Sequence, residues 1–232
     1  MTGTEKDTNL LDGGIVLINK PYRWTSFDAV NKVRSVLRKY YEIKKIKVGH
    51  AGTLDPLATG LVIVCTGKMT KEIHHFQSLE KEYIATFVLG KTTPSFDMET
   101  SVNKEFETAH ITRERVEKAL EKFTGEIDQI PPLFSAKFID GKRAYKHARK
   151  GDDIELPASR VSIREIIIER FELPELEIRI SCSKGTYIRS LARDIGHELN
   201  SGAYLSALTR TRIGKYMLKN AVYPEEFEKK LA

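Results

Sequence analysis

The apolar positions of this chain follow two periods, and the switches between them mark its elements. Gly14 to Lys20 (GIVLINK) is a short apolar run ending at Pro21, which predicts a strand. Thr25 or Ser26 then stands where a helix cap belongs, and Ala29, Val30, Val33, Val36, Leu37 and Tyr40 recur at helical spacing. Leu61 to Thr66 (LVIVCT) and Tyr83 to Leu89 (YIATFVL) are β-branched apolar runs that predict buried strands. Residues 91–110 are polar, carry Pro94 and predict a loop. Thr112 caps a second helix with Val116, Ala119, Leu120 and Phe123 on one face, and Gly125 is expected to end it. Val161 to Phe171 and Leu176 to Cys182 predict two strands joined by a turn at Pro174. Ser183-Lys184-Gly185 predicts a sharp turn into a helix capped by Thr186 and carrying Ile188, Leu191, Ala192, Ile195 and Leu199. Residues 203–217 return to strand-like alternation, and the tail predicts a short charged helix. Strands outnumber helices and no βαβ period repeats, so the pattern predicts an α+β domain on one mixed sheet.

Two segments interrupt this pattern. Residues 1–12 are polar and read as a flexible leader. Residues 126–157 change character: Pro131-Pro132 opens them, Pro157 closes them, and the basic stretch Lys142 to Lys150 lies between. The expectation is a small surface insertion on a main domain of residues 13–232. A chain of 232 residues suits one such domain. The net charge of +6 permits a polyanionic partner without requiring one. Cys65 and Cys182 sit in apolar runs with no CxxC spacing, which predicts buried, reduced thiols. The polar N-terminus lacks an apolar signal core, and no apolar stretch is long enough to span a membrane, so a cytoplasmic protein is expected.

Three segments carry candidate chemistry. Gly49 to Gly60 sets three glycines, two threonines, His50, Asp55 and Pro56 between a basic run and a buried strand. Pro56 biases Asp55 towards an extended conformation, and a short, stiff carboxylate on a constrained loop is how a reacting group is positioned. A lone Asp-Pro in a tight connection is more often an ordinary Asx turn. Ser183 to Arg189 brings Lys184, the amides of a helix start and Arg189 together; this suits a phosphate or a clamp on a carboxylate. In the insertion, Tyr145 and His147 interleave with Lys142, Arg143, Lys146, Arg149 and Lys150, a pattern that suits phosphate contact and base stacking. No GxGxxG, GxxxxGK[ST] or GxSxG motif occurs, and His74-His75 has no ligand at metal spacing. No nucleotide cofactor, metal or serine-hydrolase chemistry is therefore expected.

In this order, the segments resemble the TruB family of tRNA pseudouridine synthases from about Gly14 to Tyr216. Lys20-Pro21 with Thr25-Ser26 is similar to the family's first motif, and Gly49 to Gly60 to its catalytic loop. Lys81-Glu82-Tyr83 resembles the strand bearing an active-site tyrosine. Gln129-Ile130-Pro131-Pro132, Ser135-Ala136 and Gly141-Lys142 resemble an RNA-gripping, thumb-like insertion, and Ser183 to Arg189 resembles the motif with a further tyrosine and arginine. The resemblance implies a pseudouridine synthase fold, with a mixed, largely antiparallel sheet flanked by helices.

It also implies a cofactor-free isomerisation of the T-loop uridine (tRNA position 55), turned out of its stack, with Asp55 as the essential carboxylate. Asp55 would attack C1′ or remove a C2′ proton; the glycosidic bond breaks and C5 is rejoined to C1′. Tyr83 would stack on the uracil, Arg189 would pair with Asp55, and Tyr187 would hold base or sugar. His50 would occupy the space left by the nucleotide, and Lys20 and Pro21, grouped with the RNA-binding positions, would support the loop. Lys142, Arg143, Tyr145, Arg149 and Lys184 would contact the RNA. The implied partner is the T arm of tRNA, met by a monomer without an obligate protein partner. Two features depart from the family. Arg23 stands where Gly is usual, and the chain stops at Ala232 without the C-terminal PUA-type domain of many relatives, so salt-sensitive tRNA binding is expected. The competing class is a non-catalytic RNA-binding or tRNA-folding protein on the same scaffold.

Overall fold

The computed structural model describes residues 9–135, 138–139, 142–145 and 156–231. In chain order the strands and helices are β1 (Ile15–Lys20), α1 (Ser26–Tyr40), β2 (Val48–His50), β3 (Thr59–Thr66), α2 (Ile73–Ser78), β4 (Lys81–Leu89), β5 (Lys91–Thr92), β6 (Lys104–Glu105), α3 (Arg113–Glu121), β7 (Gly125–Gln129), β8 (Phe138–Ile139), β9 (Lys142–Arg143), β10 (Ser159–Glu172), β11 (Glu175–Cys182), α4 (Ile188–Glu198), β12 (Ala203–Ile213), β13 (Tyr216–Met217) and α5 (Pro224–Leu231). The chain forms two compact units, Met1–Tyr83 with Leu208–Ala232, and Ile84–Ala207; it passes from one to the other within β4 and returns within β12. No helix among the described residues is long and apolar enough to cross a membrane.

The first unit is built on β3. Its continuous apolar run is buried from Gly60 to Thr66, as befits a strand covered on both faces. β1 and β2 pair with it antiparallel, and the second half of β12 pairs with it parallel through Thr209↔Thr59 and Arg210↔Gly60. One face packs Leu61, Ile63 and Cys65 with Ala51, Phe76 and Ile213. Helix α1 begins with a capping box between Thr25 and Asp28 and buries Ala29, Val30, Val33, Val36 and Leu37. Tyr40 shares their spacing but is 52% exposed, because it lies in the last turn, past the edge of the packed stripe. Gly60 permits the close approach of β12: its φ is +105°, and a Cβ there would strike Arg210 O and lie 2.8 Å from Arg210 N.

The second unit is an antiparallel arrangement in which β10 pairs with β11 on one side and β7 on the other. Leu176, Ile178 and Ile180 of β11 are buried, as are Ile188, Leu191, Ala192 and Ile195 of α4. Two expectations need correction here. Helix α3 ends at Glu121, and Gly125, at φ +99°, opens β7 instead of closing the helix. Residues 126–129, grouped by composition with the insertion, are paired to 159–162 and belong to the sheet.

Arg23 has φ +67°, so the family's glycine position keeps a glycine conformation here without a glycine. It is the third residue of a turn closed by Trp24 N–H to Pro21 O at 3.3 Å, a position where positive φ is normal for a type II turn. Left-handed backbone costs a non-glycine residue about 1–2 kcal/mol, and glycine gives back roughly 0.5–1 kcal/mol through its looser unfolded chain. Arg23→Gly is therefore expected to leave the melting temperature unchanged or raise it by up to about 6 °C. A fall of that size would instead assign net stabilisation to the Arg23 guanidinium, which lies 5.7 Å from the centre of the Tyr22 ring.

Candidate active site

The Asp55 loop is held by its main chain. On one side lies Lys20, the last residue of β1 and fully buried. Its ammonium donates to Trp24 O and Ala58 O at 2.6 Å each, to Pro21 O at 3.0 Å and to Pro56 O at 3.5 Å. On the other side lies Arg210 of β12, only 1% exposed. Its Nε donates to Leu61 O at 2.7 Å, and its two terminal nitrogens to Gly52 O at 3.1 Å and Thr53 O at 3.3 Å. Ser26 closes the frame: its hydroxyl accepts from Leu54 N–H at 2.8 Å and donates to Leu54 O at 3.1 Å. Arg23 N–H adds a bond to Pro56 O at 2.8 Å, and Ala58 N–H turns back to Asp55 O at 3.1 Å. Five of the six residues from Gly52 to Leu57 thus take a main-chain bond, and Asp55 sits half-buried among them. Buried cations on carbonyl dipoles stiffen a loop without using its side chains.

Arg210 was not foreseen as a site residue. In sequence it is one basic residue of an alternating strand. Lys20, grouped with the RNA-binding positions, is enclosed by carbonyls and has no free donor for a phosphate; it supports the loop. Pro21 is half-buried beside it.

The electrostatics of this frame shift two groups. Burial pushes Lys20 down from its ordinary 10.5 to about 8; Asp55 opposes the shift, and Arg210 adds to it. His50 is also lowered, first by burial and then by the Arg210 charge, so its ring is neutral near pH 7. Tyr83 lies on the buried face of β4 with Lys81, Ala85 and Phe87. Cys65 is raised to about 11 by burial and stays a thiol.

Lys20 gives a pH prediction with opposite signs for rate and stability. Between about 8 and 10.5 the folded chain has released this proton and the unfolded chain has not, so the group's contribution to stability rises with pH. In the same window the Asp55 loop loses a charged donor. The single-turnover rate is expected to fall above about pH 8 while the melting temperature does not fall with it. A Lys20→Arg variant, charged throughout, should lack that alkaline limb at whatever rate it retains; a flat wild-type profile would show that the Lys20 charge is dispensable.

The remaining site positions lie in the second unit. Lys184 is exposed in the turn before α4. Thr186 does not cap the helix: Tyr187 is the N-cap, and the Thr186 hydroxyl donates to Ser183 O at 3.0 Å. Arg189 is buried in the first turn, donates to Phe134 O at 3.0 Å and has Nε 3.7 Å from the buried Asp97 carboxylate. Asp97 is a second residue that sequence reading missed, since 91–110 looked like a plain polar loop. Its segment is ordered by buried hydroxyls, with Thr93 and Ser95 both donating to Asp97 O. Tyr145 is half-buried, and its N–H donates to Ser135 O at 3.1 Å. Lys142 and Arg143 form β9, but their side chains lie outside the described residues, as do Arg149 and His147. Among the described residues no group of three or more His, Cys, Asp or Glu side chains could hold a metal ion.

Comparison with known proteins shows the family. A family model described as TruB family pseudouridylate synthase (N terminal domain) matches residues 38–188. The chain is 57% identical over 219 residues to tRNA pseudouridine synthase B of Phocaeicola vulgatus, covering 94% of this chain and 93% of that one. With the Flavobacterium johnsoniae protein of the same name the identity is 51% over 222 residues, covering 95% and 97%. Among solved structures, a Cbf5-Nop10-Gar1 complex aligns with TM-score 0.69 and 25% identity over 95% of this chain and 54% of the matched one. A chain of an H/ACA RNP bound to a substrate RNA containing 2'-deoxyuridine aligns with TM-score 0.68 at 23% identity, a likeness of fold.

Proposed function

This chain belongs to the TruB family of pseudouridylate synthases and acts as a tRNA pseudouridine synthase, and from that premise we propose its target, its site and its chemistry. The target is the T-loop uridine at tRNA position 55, turned out of the T arm by a cytoplasmic monomer that needs no obligate protein partner. Asp55 is the reacting carboxylate. The observation that carries this assignment is its loop, fixed from two sides by buried Lys20 and Arg210 through carbonyls alone. Such a frame holds the main chain of a reacting group in place through bonds that do not involve its carboxylate.

In the proposed reaction the bond from N1 of uracil to C1′ breaks, a bond from C5 to C1′ forms, C5 loses a proton and N1 gains one. Atoms and electrons balance within substrate and solvent. Asp55 acts at the ribose, by attack at C1′ or removal of the C2′ proton. Tyr83 stacks on the uracil; such stacking is worth roughly 1–3 kcal/mol per base and offsets the few kcal/mol of turning the nucleotide out. Arg189 partners the Asp55 carboxylate, Tyr187 holds base or sugar, and the neutral His50 ring fills the vacated space. Lys184, Tyr145 and the insertion residues Lys142, Arg143 and Arg149 meet the RNA backbone and bases.

Tritium at uridine C5 of an unmodified tRNA transcript tests the whole reading. Release of one equivalent per tRNA, with pseudouridine mapped to the T loop, is expected. Release from another position would redirect the target, and no release from any unmodified tRNA would end the proposal.

A further inference from the structure

The start of α4 is completed from a distance. Tyr187, its N-cap, makes no side-chain cap hydrogen bond, and Thr186 is committed to Ser183. Gln129, the last residue of β7 and only 1% exposed, takes the place of a cap. Its Oε1 accepts from Tyr187 N–H at 2.8 Å and its Nε2 donates to Tyr187 O at 3.1 Å. A side-chain amide thereby pairs with one residue's main chain as a neighbouring strand would. The residues after Gln129 are fastened to the same helix turn: Ser190 Oγ donates to Ile130 O at 2.8 Å, and Arg189 donates to Phe134 O at 3.0 Å.

We propose that Gln129 is a positioning residue for the isomerisation, setting the main chain of Tyr187 and thereby the directions taken by the Tyr187 and Arg189 side chains. A single hydrogen bond leaves a residue free to rotate about it; a donor and an acceptor at fixed separation remove that freedom. A side-chain amide offers both in one plane at this reach, at any pH. Misplacing reacting groups by about 1 Å can cost on the order of 100-fold in rate, far more than the pairing's share of stability would suggest. The inference rests on the assignment of Tyr187 and Arg189 to the site given under the proposed function.

Gln129→Met and Gln129→Glu separate positioning from stability. Methionine keeps the volume and loses both bonds. A carboxylate accepts from Tyr187 N–H but turns a second acceptor towards Tyr187 O, whereas a protonated carboxyl accepts and donates as the amide does. In single-turnover tritium release, normalised to folded protein, Gln129→Met is expected to be slower by about ten-fold or more, with tRNA affinity within about three-fold. Gln129→Glu should be similarly slow near pH 8 and recover relative to wild type as pH falls towards about 6, since burial raises a carboxyl's pKa. A Gln129→Glu ratio flat with pH, a loss of affinity in place of rate, or full rate in Gln129→Met would each overturn the proposal. Arg189→Lys in the same assay distinguishes two failures. Full activity there removes the site assignment and this inference with it, while a loss there beside an unimpaired Gln129→Met removes the inference alone.

Discussion

Asp55→Asn is expected to stop tritium release, lowering the single-turnover rate by at least about 10³-fold while tRNA affinity changes by less than about three-fold. The substitution is nearly isosteric and removes the ability to attack carbon or take up a proton. It should leave the loop in place, because the bonds that fix the loop run to the carbonyls of Gly52, Thr53, Pro56 and Ala58 and to both main-chain groups of Leu54. None of those bonds needs the carboxylate. A factor of 10³ corresponds to about 4 kcal/mol of transition-state stabilisation. Binding would survive because phosphate contacts supply most of the affinity for a polyanion. A variant that binds tRNA but retains more than about a tenth of the rate would move the chemistry to another group. Equal loss of binding and rate would point to a role for Asp55 in folding or docking.

Arg210→Met should damage the frame itself. It leaves the carbonyls of Leu61, Gly52 and Thr53 without their donors. A buried polar group left unpaired costs about 1–3 kcal/mol. Two effects pull the other way: a buried charge is removed, and Thr53, being exposed, can turn its carbonyl to water. Leu61 lies in the core strand and has no such outlet. The net expectation is a loss of about 3 kcal/mol, or roughly 6–12 °C in melting temperature for a chain of this size. The rate per folded molecule should fall as well, since the loop ends are released. Arg210→Lys, which keeps the charge but not the fork, should fall between the two. Melting and single-turnover release together check this; a wild-type melting curve for Arg210→Met would mean that Lys20 and Ser26 suffice to hold the loop.

What sequence alone made legible was local. The buried run of β3, the capped stripe of α1 and the β10–β11 hairpin follow from period and turn residues within a dozen positions. The Asp55 loop was legible because glycines, threonines and a proline crowd around one carboxylate. What escaped depends on distant partners. Arg210 reads as an ordinary basic position because the carbonyls it serves are 149 to 158 residues away. Lys20 is grouped with the RNA contacts, and only the family resemblance gives it the loop, because burial of an ammonium on carbonyls leaves no composition signal. Gln129 was grouped with the insertion because Pro131-Pro132 marks a change of character two residues later, yet its partner is 58 residues on. Thr186 looked like a cap because it is the right residue at the right place; the geometry gave the pairing to Gln129. Asp97 hid in a polar stretch whose order comes from buried hydroxyls, a pattern indistinguishable from solvent-facing polarity until folded.

The frame around Asp55 grips atoms that every residue type possesses. Thr53 contributes a carbonyl to Arg210 while the residue is exposed to solvent. Its identity is therefore open to replacement. A Thr53→Cys variant would be the one accessible thiol among the described residues, since Cys65 and Cys182 are both buried and Cys65 is held protonated by burial. A fluorophore attached there would ride on a rigid support two residues from Asp55. Its emission would then report the arrival of the nucleotide in real time, separately from the chemistry that follows.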